Sequence, residues 1–332
     1  MLNFAVTQLN SPFDDSAFFV RDIYRKRAYL LDCGRLGGIS HADLLSVGDI
    51  FVSHTHMDHF VGFDRIVRGA LNSAEGIRVF GPPGFIGNVE GKFRGYTWNL
   101  TGGYSFFVEA VELSVEGESK RALFKASDGF LLHELEPLPY GAIDLGEGFS
   151  LKTELFDHRT LSAGYRIEEP IGYSVDREKL LGLAYKQGPW LSALKAALAA
   201  GKDLPITTLQ GEKEVTKGAF TYLEEFIEVK RPQVISYITD CAPTEENVEK
   251  AVAFADKSTL LIIEAPFLAE DEAHAKEKNH LTLPIAKEIF RRSSSDYVRF
   301  THFASRYEND KGNFLQEVYK GLEGRVHTKN TR

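Results

Sequence analysis

The amino-acid sequence predicts a layered α/β (α+β) protein in which two β-sheets pack face to face, with helices on their outer sides. In the first and last thirds, short apolar runs alternate with stretches of helical periodicity, as in α/β folds. Residues 104–155 instead carry several strand-like runs separated by Gly, Ser, Pro and Asp, which is typical of an antiparallel meander. Two regular halves that flank a β-rich middle therefore predict four layers in the order αββα.

The first third supplies the clearest local signals. Residues 27–32 and 49–53 predict buried strands, and the second ends directly before a cluster of histidines. Residues 60–71 have helical spacing, and residues 77–80 predict a further strand. The Gly81-Pro82-Pro83-Gly84 turn can start the next helix.

The last third returns to regular alternation. Strands are predicted at residues 233–239, 259–263 and 296–301, and helices at residues 245–255, 283–290 and 314–322. Between residues 169 and 232 the pattern is interrupted by Gly188-Pro189, a helix-like stretch at 191–202 and a polar passage. We therefore expect one domain over residues 1–332, with an arm or an insertion at about residues 170–232.

Composition and charge limit the functional class. The 332 residues carry 39 Lys and Arg against 47 Asp and Glu, a net charge of −8, which excludes a strongly basic protein that coats nucleic acid but not a local basic groove. The two cysteines, Cys33 and Cys241, form no disulfide framework and are expected to be small packing groups in a reducing compartment. The first residues do not resemble a signal peptide, and no apolar run approaches the roughly 18 residues of a membrane span. These features predict a cytoplasmic protein without membrane contact.

The segment His54-Thr55-His56-Met57-Asp58-His59 places four potential metal ligands within six residues, immediately after a predicted strand. Side chains alternate along an extended segment, so His54 and His56 can point the same way. Asp58 and His59 would follow on a turn and address a second position. This loop predicts parts of two metal sites, and the alternative is a solvated histidine-rich turn.

These residues resemble the HxHxDH signature of the metallo-β-lactamase superfamily. Five further segments, in the same order along nearly the whole chain, resemble those of its ribonuclease Z family. They are Phe156-Asp157-His158 with GYRIEE at residues 164–169, Thr239-Asp240, IEAPF at 263–267, Asn279-His280-Leu281-Thr282, and THFASRY at 301–307.

The resemblance implies a four-layer αββα metallo-β-lactamase sandwich with two metal ions. It assigns one ion to His54, His56 and His158, the other to Asp58, His59 and His302, and a bridging role to Asp240. Histidine and carboxylate ligands without a thiolate suit two Zn²⁺ ions, while Mn²⁺, Fe²⁺ and Co²⁺ stay open.

The resemblance also implies the chemistry. Two ions roughly 3.5–4 Å apart lower the pKa of a bridging water and yield a hydroxide that attacks a phosphodiester. Asp58 and His280 are then the catalytic residues: Asp58 orients or deprotonates the water, and His280 protonates the leaving 3′ oxygen. Arg306 and Ser305 are expected to bind the substrate phosphate.

By resemblance the substrate is precursor tRNA, hydrolysed on the 3′ side of the acceptor stem; endonucleolytic cutting and trimming from the 3′ end both stay open. The region around Gly188-Pro189 resembles the tRNA-gripping arm of the family, with Lys186, Lys195 and Lys202 available to phosphates. A helical hairpin that packs on its own domain or on a dimer partner is an equal alternative. The family resemblance favours a homodimer whose arms serve the opposite subunit.

Two other functions stay open. One is a metallo-β-lactamase-fold hydrolase of small phosphodiesters, lactones, thioesters or sulfate esters, and the other is a non-catalytic RNA-binding scaffold. Arg21, Arg25, Lys26 and Arg27 form a basic cluster that we interpret as a solvated strand edge rather than an RNA contact. His41, His133, His274 and His327 lack ligand-like spacing and are expected at the surface or at helix caps.

Overall fold

The computed structural model describes residues 3–24 and 27–327, so Arg25 and Lys26 of the basic cluster lie outside the described residues. The chain divides into two compact units. The first comprises residues 1–143, 151–167 and 234–332, and the second comprises residues 144–150 and 168–233.

The first sheet has eight strands in chain order. Its central strands β3 to β6 are parallel, and the strands on either side run antiparallel. The predicted strands at 27–32, 49–53 and 77–80 form β3, β4 and β5, which are almost wholly buried, as parallel strands covered on both faces must be. The strands are β1 (Phe4–Gln8), β2 (Phe18–Asp22), β3 (Ala28–Leu31), β4 (Val47–Phe51), β5 (Ile77–Gly81), β6 (Phe107–Glu112), β7 (Ser119–Lys125) and β8 (Leu132–Leu138).

Four helices cover the outer face of this sheet: α1 (His41–Leu45), α2 (Met57–Phe60), α3 (Phe63–Ala70) and α4 (Phe85–Arg94). The single helix expected at residues 60–71 is wrong at its start, because α2 ends at Phe60 and α3 begins at Phe63. Gly62 separates them, and a Cβ atom there would lie 2.1 Å from the carbonyl oxygen of Gly34. Asp58 and His59 consequently belong to a short helix rather than to the expected turn.

The second sheet has the strand order β18-β17-β16-β11-β10-β9, in which β16, β17 and β18 are parallel. Helices α8, α10 and α11 pack on its outer face. With strands and helices numbered along the whole chain, the elements are β9 (Ile143–Gly146), β10 (Phe149–Asp157), β11 (Leu161–Glu168), β16 (Val234–Ile238), β17 (Leu260–Glu264), β18 (Tyr297–Thr301), α8 (Glu245–Phe254), α9 (Glu272–Lys278), α10 (Leu283–Arg292) and α11 (Lys311–Tyr319).

The two sheets of the first unit face each other. Tyr165 of β11 is fully buried, and its hydroxyl donates to the carbonyl oxygens of Val52 (2.6 Å) and Phe80 (3.1 Å), just after β4 and at the end of β5. The ring of Tyr165 also contacts Phe51, with centroids 5.3 Å apart. The expected layer order αββα is therefore observed.

The β-rich stretch at residues 104–155 is divided between the sheets. Strands β6, β7 and β8 form the expected antiparallel meander, whereas β9 and β10 join the second sheet. The local sequence pattern of a strand is the same in either sheet. The sequence therefore predicts the strands but not the position at which the chain passes from the first sheet to the second.

The second unit has a core of its own, in which Tyr185, Trp190, Tyr222 and Phe226 pack ring against ring. The helix-like stretch at 191–202 corresponds to α6. Two antiparallel strand pairs, β12 with β15 and β13 with β14, occupy regions in which the sequence pattern is irregular and predicts no strand. The elements are β12 (Gly172–Val175), α5 (Arg177–Gly182), α6 (Trp190–Ala199), β13 (Pro205–Gln210), β14 (Lys213–Gly218), α7 (Ala219–Phe226) and β15 (Ile227–Lys230). Within the described residues of both units, the helices are all too short or too polar to cross a membrane.

Candidate metal centre

Each residue predicted to bind metal follows the end of a strand in the first unit. His54 comes three residues after β4, His158 directly after β10, Asp240 two residues after β16, and His302 directly after β18. The ends of neighbouring parallel strands meet at one edge of a sheet, which is where α/β proteins place their sites. The two facing sheets thereby bring residues that are far apart in sequence to one place.

Several of these strand ends have left-handed backbone. The φ angles of Asp32, Asp240 and His302 are 55°, 51° and 58°. Such angles are uncommon in residues other than glycine and persist only where the surrounding structure enforces them, often at functional sites. Here these backbone angles set the direction in which the side chains at the ends of β3, β16 and β18 point.

One group of potential ligands consists of His54, His56, His158 and Asp240, whose ligand atoms all lie within 4.8 Å of one another. Asp240 Oδ2 lies 3.5 Å from both His54 Nε2 and His158 Nε2. The rings of His54 and His56 have centroids 4.2 Å apart. These four side chains match the spacing that a single cation requires.

A second group consists of Asp58, His59 and His302. Asp58 Oδ2 lies 3.4 Å from both His59 Nε2 and His302 Nε2. Asp240 is close to this group as well, since its Oδ2 is 3.6 Å from His59 Nε2 and its Oδ1 is 3.6 Å from His302 Nδ1. Asp240 therefore lies between the two groups.

The donor atoms themselves fit metal ions. Among the described residues, His54 Nε2, His59 Nε2 and His302 Nδ1 are buried nitrogens that find no hydrogen-bond partner. An unpaired buried polar atom is costly, and a coordinated cation would remove that cost. The residues present thus fit a pair of divalent ions bound by nitrogen and oxygen.

The other ring nitrogen of three of these histidines is held in place. His59 Nδ1 donates to Asp32 Oδ2 at 2.6 Å, and His158 Nδ1 donates to the carbonyl oxygen of Asn279 at 2.7 Å. His54 Nδ1 lies 3.1 Å from Ser53 Oγ. Fixing Nδ1 in this way aims Nε2 at the site, as in other histidine metal centres.

Asp32 is a residue whose role the sequence analysis missed. It is fully buried and accepts hydrogen bonds from the Tyr237 hydroxyl (2.5 Å) and from the Ser53 amide (2.6 Å) and hydroxyl (2.9 Å), besides His59. Tyr237 in turn contacts Ser16 Oγ at 2.8 Å. This network compensates a buried carboxylate and fixes His59. The sequence feature that could have identified Asp32 is its position as the single acidic residue at the end of an apolar strand.

The close packing of imidazoles and carboxylates shifts their pKa values. Burial lowers the pKa of His54 to about 3, so this ring is neutral and able to bind a cation. Burial by itself would raise the pKa of Asp58, but hydrogen bonds with His302 and His59 hold it well below its usual value. Asp240 is also ionised, because the surrounding histidines, His302 first, lower its pKa despite its burial.

His280 and Glu264 form a pair beside the two groups. Glu264, at the end of β17, is fully buried; its Oε2 accepts from His280 Nδ1 at 2.7 Å and its Oε1 from the Cys241 amide at 2.8 Å. Burial would lower the pKa of His280, but the Glu264 carboxylate raises it to about 9. The ring centroid of His280 is 4.8 Å from that of His158. Glu264 was part of a matched segment, but its pairing with His280 was not foreseen.

The residues expected to bind phosphate lie outside the two groups. Ser305 is exposed and begins a 3₁₀ turn over Ser305–Asp310. Arg306 Nη1 donates to Asp271 Oδ1 at 2.9 Å, and its guanidinium lies over the ring of Phe267. Binding of a phosphate by Arg306 would therefore compete with Asp271.

The remaining histidines and the described members of the basic cluster have other partners. His133 pairs with Asp128, and His327 is half-buried against Arg299; neither histidine belongs to a group of described residues that could hold a metal ion. In the cluster, Arg21 and Arg27 pair with Asp43 at 3.4 Å and Asp49 at 2.7 Å.

Comparison with known proteins places this geometry in a known fold. No family model matches the chain. The metallo-β-lactamase fold protein YhfI from Bacillus subtilis superimposes with a TM-score of 0.55 at 12% identity, covering 99% of this chain and 96% of that one. The chain has the metallo-β-lactamase fold. Human short-form tRNase Z superimposes with a TM-score of 0.53 at 17% identity, covering 92% of this chain and 93% of that one.

Sequence relatives agree with the motifs. A protein named ribonuclease Z from Microcystis aeruginosa is 26% identical over 322 residues, covering 91% of this chain and 85% of the relative. The predicted metallo-β-lactamase fold and the resemblance to ribonuclease Z are thus both confirmed.

Proposed function

We propose that this protein is a metal-dependent phosphodiesterase of ribonuclease Z type, which hydrolyses precursor tRNA on the 3′ side of the acceptor stem and leaves a 3′ hydroxyl. The observation that carries the proposal is the convergence of two ligand groups on Asp240, beside the His280–Glu264 pair. Relatives named ribonuclease Z, which align over about nine tenths of the chain, support the choice of a nuclease.

In this proposal His54, His56 and His158 hold one divalent cation, Asp58, His59 and His302 hold the other, and Asp240 bridges them. Zinc suits these ligands best, and Mn²⁺, Fe²⁺ and Co²⁺ can occupy the same ligands, because nitrogen and oxygen donors discriminate poorly among these ions. When bound, the pair of cations supplies positive charge to the phosphate and lowers the pKa of a nearby water.

The protein side chains then orient the water and move protons. Asp58 is ionised and half-exposed, so a carboxylate oxygen can accept a hydrogen bond from the attacking water. Glu264 holds Nδ1 of His280, which leaves Nε2 to donate a proton to the departing 3′ oxygen. Since the pKa of His280 is about 9, the ring carries that proton at neutral pH.

Substrate contacts are proposed for Arg306 and Ser305 at the centre and for Lys186, Lys195 and Lys202 in the second unit. Lys186 and Lys202 are exposed, and a phosphate backbone attracts such cations. We further propose that residues 168–233 act as the tRNA-gripping arm, that the protein works as a homodimer, and that it acts in the cytoplasm.

A second candidate, hydrolysis of small phosphodiesters or other small esters, is favoured by one observation. Residues 168–233 carry 9 Lys and Arg against 10 Asp and Glu, so the arm region has no net positive charge. An RNA-gripping arm would then depend on a local arrangement of lysines rather than on overall charge.

The deciding experiment is incubation of the metal-loaded protein with a precursor tRNA whose 3′ trailer is labelled at its 3′ end. Release of one intact trailer would support endonucleolytic cutting, and release of labelled mononucleotides would indicate trimming. A His280→Ala variant with unchanged metal content serves as the control and should cut much more slowly. If the RNA stays intact at enzyme excess while bis-p-nitrophenyl phosphate is hydrolysed, the small-ester function replaces the tRNA function.

A further inference from the structure

A second polar cleft lies outside the metal centre, between α1, α3 and the turn that follows α3. It has a volume of about 480 Å³, within the range of ligand sites. Arg65 and Arg68 of α3, His41 of α1, and Asn72 and Ser73 of the turn contribute its polar lining, and no carboxylate lines it.

The two arginines have no acidic partner among the described residues. Arg65 donates to the carbonyl oxygen of Leu36, and Arg68 is exposed and makes no hydrogen bond or ion pair with the part of the chain that the structure describes. The nearest carboxylate on α1, Asp43, is already bound to Ser40 at 2.7 Å and to Arg21 at 3.4 Å. In a chain with a net charge of −8, two such arginines facing one cleft favour an anion.

Other cations near α3 are paired. Lys92 of α4 binds Asp64 at 3.2 Å, and Arg94 of α4 binds Glu90 at 2.6 Å. Among the described residues, Arg65 and Arg68 thus differ from these two cations of α4 in having no acidic partner.

The base of the cleft is apolar and closely packed. Leu44 of α1 and Ile39 are buried beneath it. A Cβ atom on Gly69 of α3 would lie 2.9 Å from Leu44 Cδ2, so the two helices already meet as closely as this glycine allows. The part of the polar lining that the helices supply, His41, Arg65 and Arg68, is thus carried by two helices that pack closely on each other.

The cleft is connected to the metal centre by short stretches of chain. Helix α3 follows α2, which carries Asp58 and His59, and Arg65 bonds to the loop that follows β3. With a rise of about 1.5 Å per residue, α3 spans roughly 12 Å. A nucleic-acid strand carries one charge about every 3.4 Å along a duplex, so a strand cut at the metal centre carries several further phosphates within that length.

We propose that this α1–α3 cleft binds a backbone phosphate of the RNA substrate, a few nucleotides from the bond that is cut, with Arg68 and Arg65 as donors. The inference rests on the proposed nuclease function and adds a substrate contact to it. Arginine forks bind phosphate oxygens through paired N–H groups, and the neighbouring Asn72 and Ser73 supply further donors.

The test compares Arg68→Gln with Arg94→Gln, which removes the same charge from the surface of the adjacent helix α4. Arg68→Gln should raise KM for precursor tRNA about tenfold, the loss expected for one charge-assisted contact, and leave kcat/KM for bis-p-nitrophenyl phosphate within about twofold. It should also reduce the slope of log KM against log salt by about 0.7 to 0.9. Arg94→Gln should change both activities by less than about twofold.

The outcomes separate the two proposals. If the native protein cuts precursor tRNA and the two variants behave alike, the cleft proposal is overturned while the nuclease function stands. If the native protein cuts no RNA, the nuclease function is wrong. Filter binding of the same RNA to the native protein and to both variants then tests the cleft by itself: equal RNA affinities of Arg68→Gln and Arg94→Gln would overturn the proposal that the cleft binds RNA. Calorimetric titration with AMP, on the native protein and on Arg68→Gln, distinguishes the source of the phosphate. If Arg68→Gln loses affinity for AMP but not for the RNA, the cleft binds a free nucleotide and the proposed RNA contact is overturned.

Discussion

At the scale of single residues, the site depends on side chains that hold the ligands as well as on the ligands themselves. Asp32 binds His59 at 2.6 Å and Glu264 binds His280 at 2.7 Å, and both carboxylates are fully buried. Their buried charges shift the pKa of the rings they contact, so each should have a measurable effect on metal binding or on pH dependence.

Asp32→Asn should weaken metal binding by about 10- to 100-fold, because the amide can no longer stabilise and orient His59 as a carboxylate does. Titration with a competing chelator measures the loss. Asp256→Asn, a surface change with the same loss of charge, is the control. Equal affinities of the two variants would mean that Asp32 does not support the site.

Glu264→Gln should move the alkaline limb of the pH profile of kcat to lower pH by about one unit or more. The Glu264 carboxylate raises the pKa of His280, so replacing it with a neutral amide lowers that pKa. The His280 ring then loses its proton at a lower pH as the pH rises. Glu277→Gln, at an exposed position, should leave the profile in place. An unshifted limb in Glu264→Gln would exclude His280 as the proton donor.

At the scale of elements, the break between α2 and α3 positions two of the predicted metal ligands. The sequence has helical spacing from Phe60 onward, but the Gly62 amide donates to the carbonyl oxygen of Cys33 at 2.8 Å instead of to that of Asp58, so a turn interrupts the helix there. The turn leaves Asp58 and His59 on a short helix beside the ends of β4 and β16. Periodicity could not predict the break, because it results from a hydrogen bond with Cys33, which is distant in the sequence.

Gly62→Ala should destabilise the protein by about 1–3 kcal/mol and weaken the site formed by Asp58 and His59. A Cβ atom at Gly62 would lie 2.1 Å from the carbonyl oxygen of Gly34, so the chain would have to shift to admit it. Denaturant unfolding and chelator titration measure the two effects. Gly87→Ala is the matched control: Gly87 lies within α4 with no atom within 4 Å of a built Cβ, so alanine should be neutral or stabilise by about 0.5–1 kcal/mol. A Gly62→Ala variant as stable as Gly87→Ala would contradict the role of this contact.

At the scale of the whole molecule, the proposed metal centre and the proposed tRNA-gripping arm belong to different compact units. All seven predicted metal ligands belong to the first unit, whereas the lysines predicted to contact tRNA belong to the second. The second unit has its own core, and Gly172 pairs with Lys230 near the two ends of its longer segment, residues 168–233. Removal of residues 173–229 should therefore leave a short gap that a turn can close.

Replacement of residues 173–229 by Asn-Gly should keep metal binding and hydrolysis of bis-p-nitrophenyl phosphate within a few-fold, since Gly172 and Lys230 are cross-strand neighbours that a two-residue turn can join. Cleavage of precursor tRNA should fall by about 100-fold or more if several phosphate contacts are lost. A triple variant with Lys186, Lys195 and Lys202 changed to Gln should show part of this loss with the unit intact. Undiminished tRNA cleavage by the shortened protein would reject the arm.

The sequence by itself determined the layered fold, the strands that lead to the site and the spacing of His54, His56, Asp58 and His59, because these depend on local periodicity and on neighbours in the chain. It also contained the distant residues His158, Asp240 and His302 in segments that resemble one family. Only the tertiary structure decided that these ends converge on Asp240, that Asp32 and Glu264 hold two of the histidines, and that Arg65 and Arg68 share a cleft without an acidic partner. Such relations arise where strands and helices from separate parts of the chain meet, and a contact made only through the tertiary fold leaves no periodic trace in the sequence.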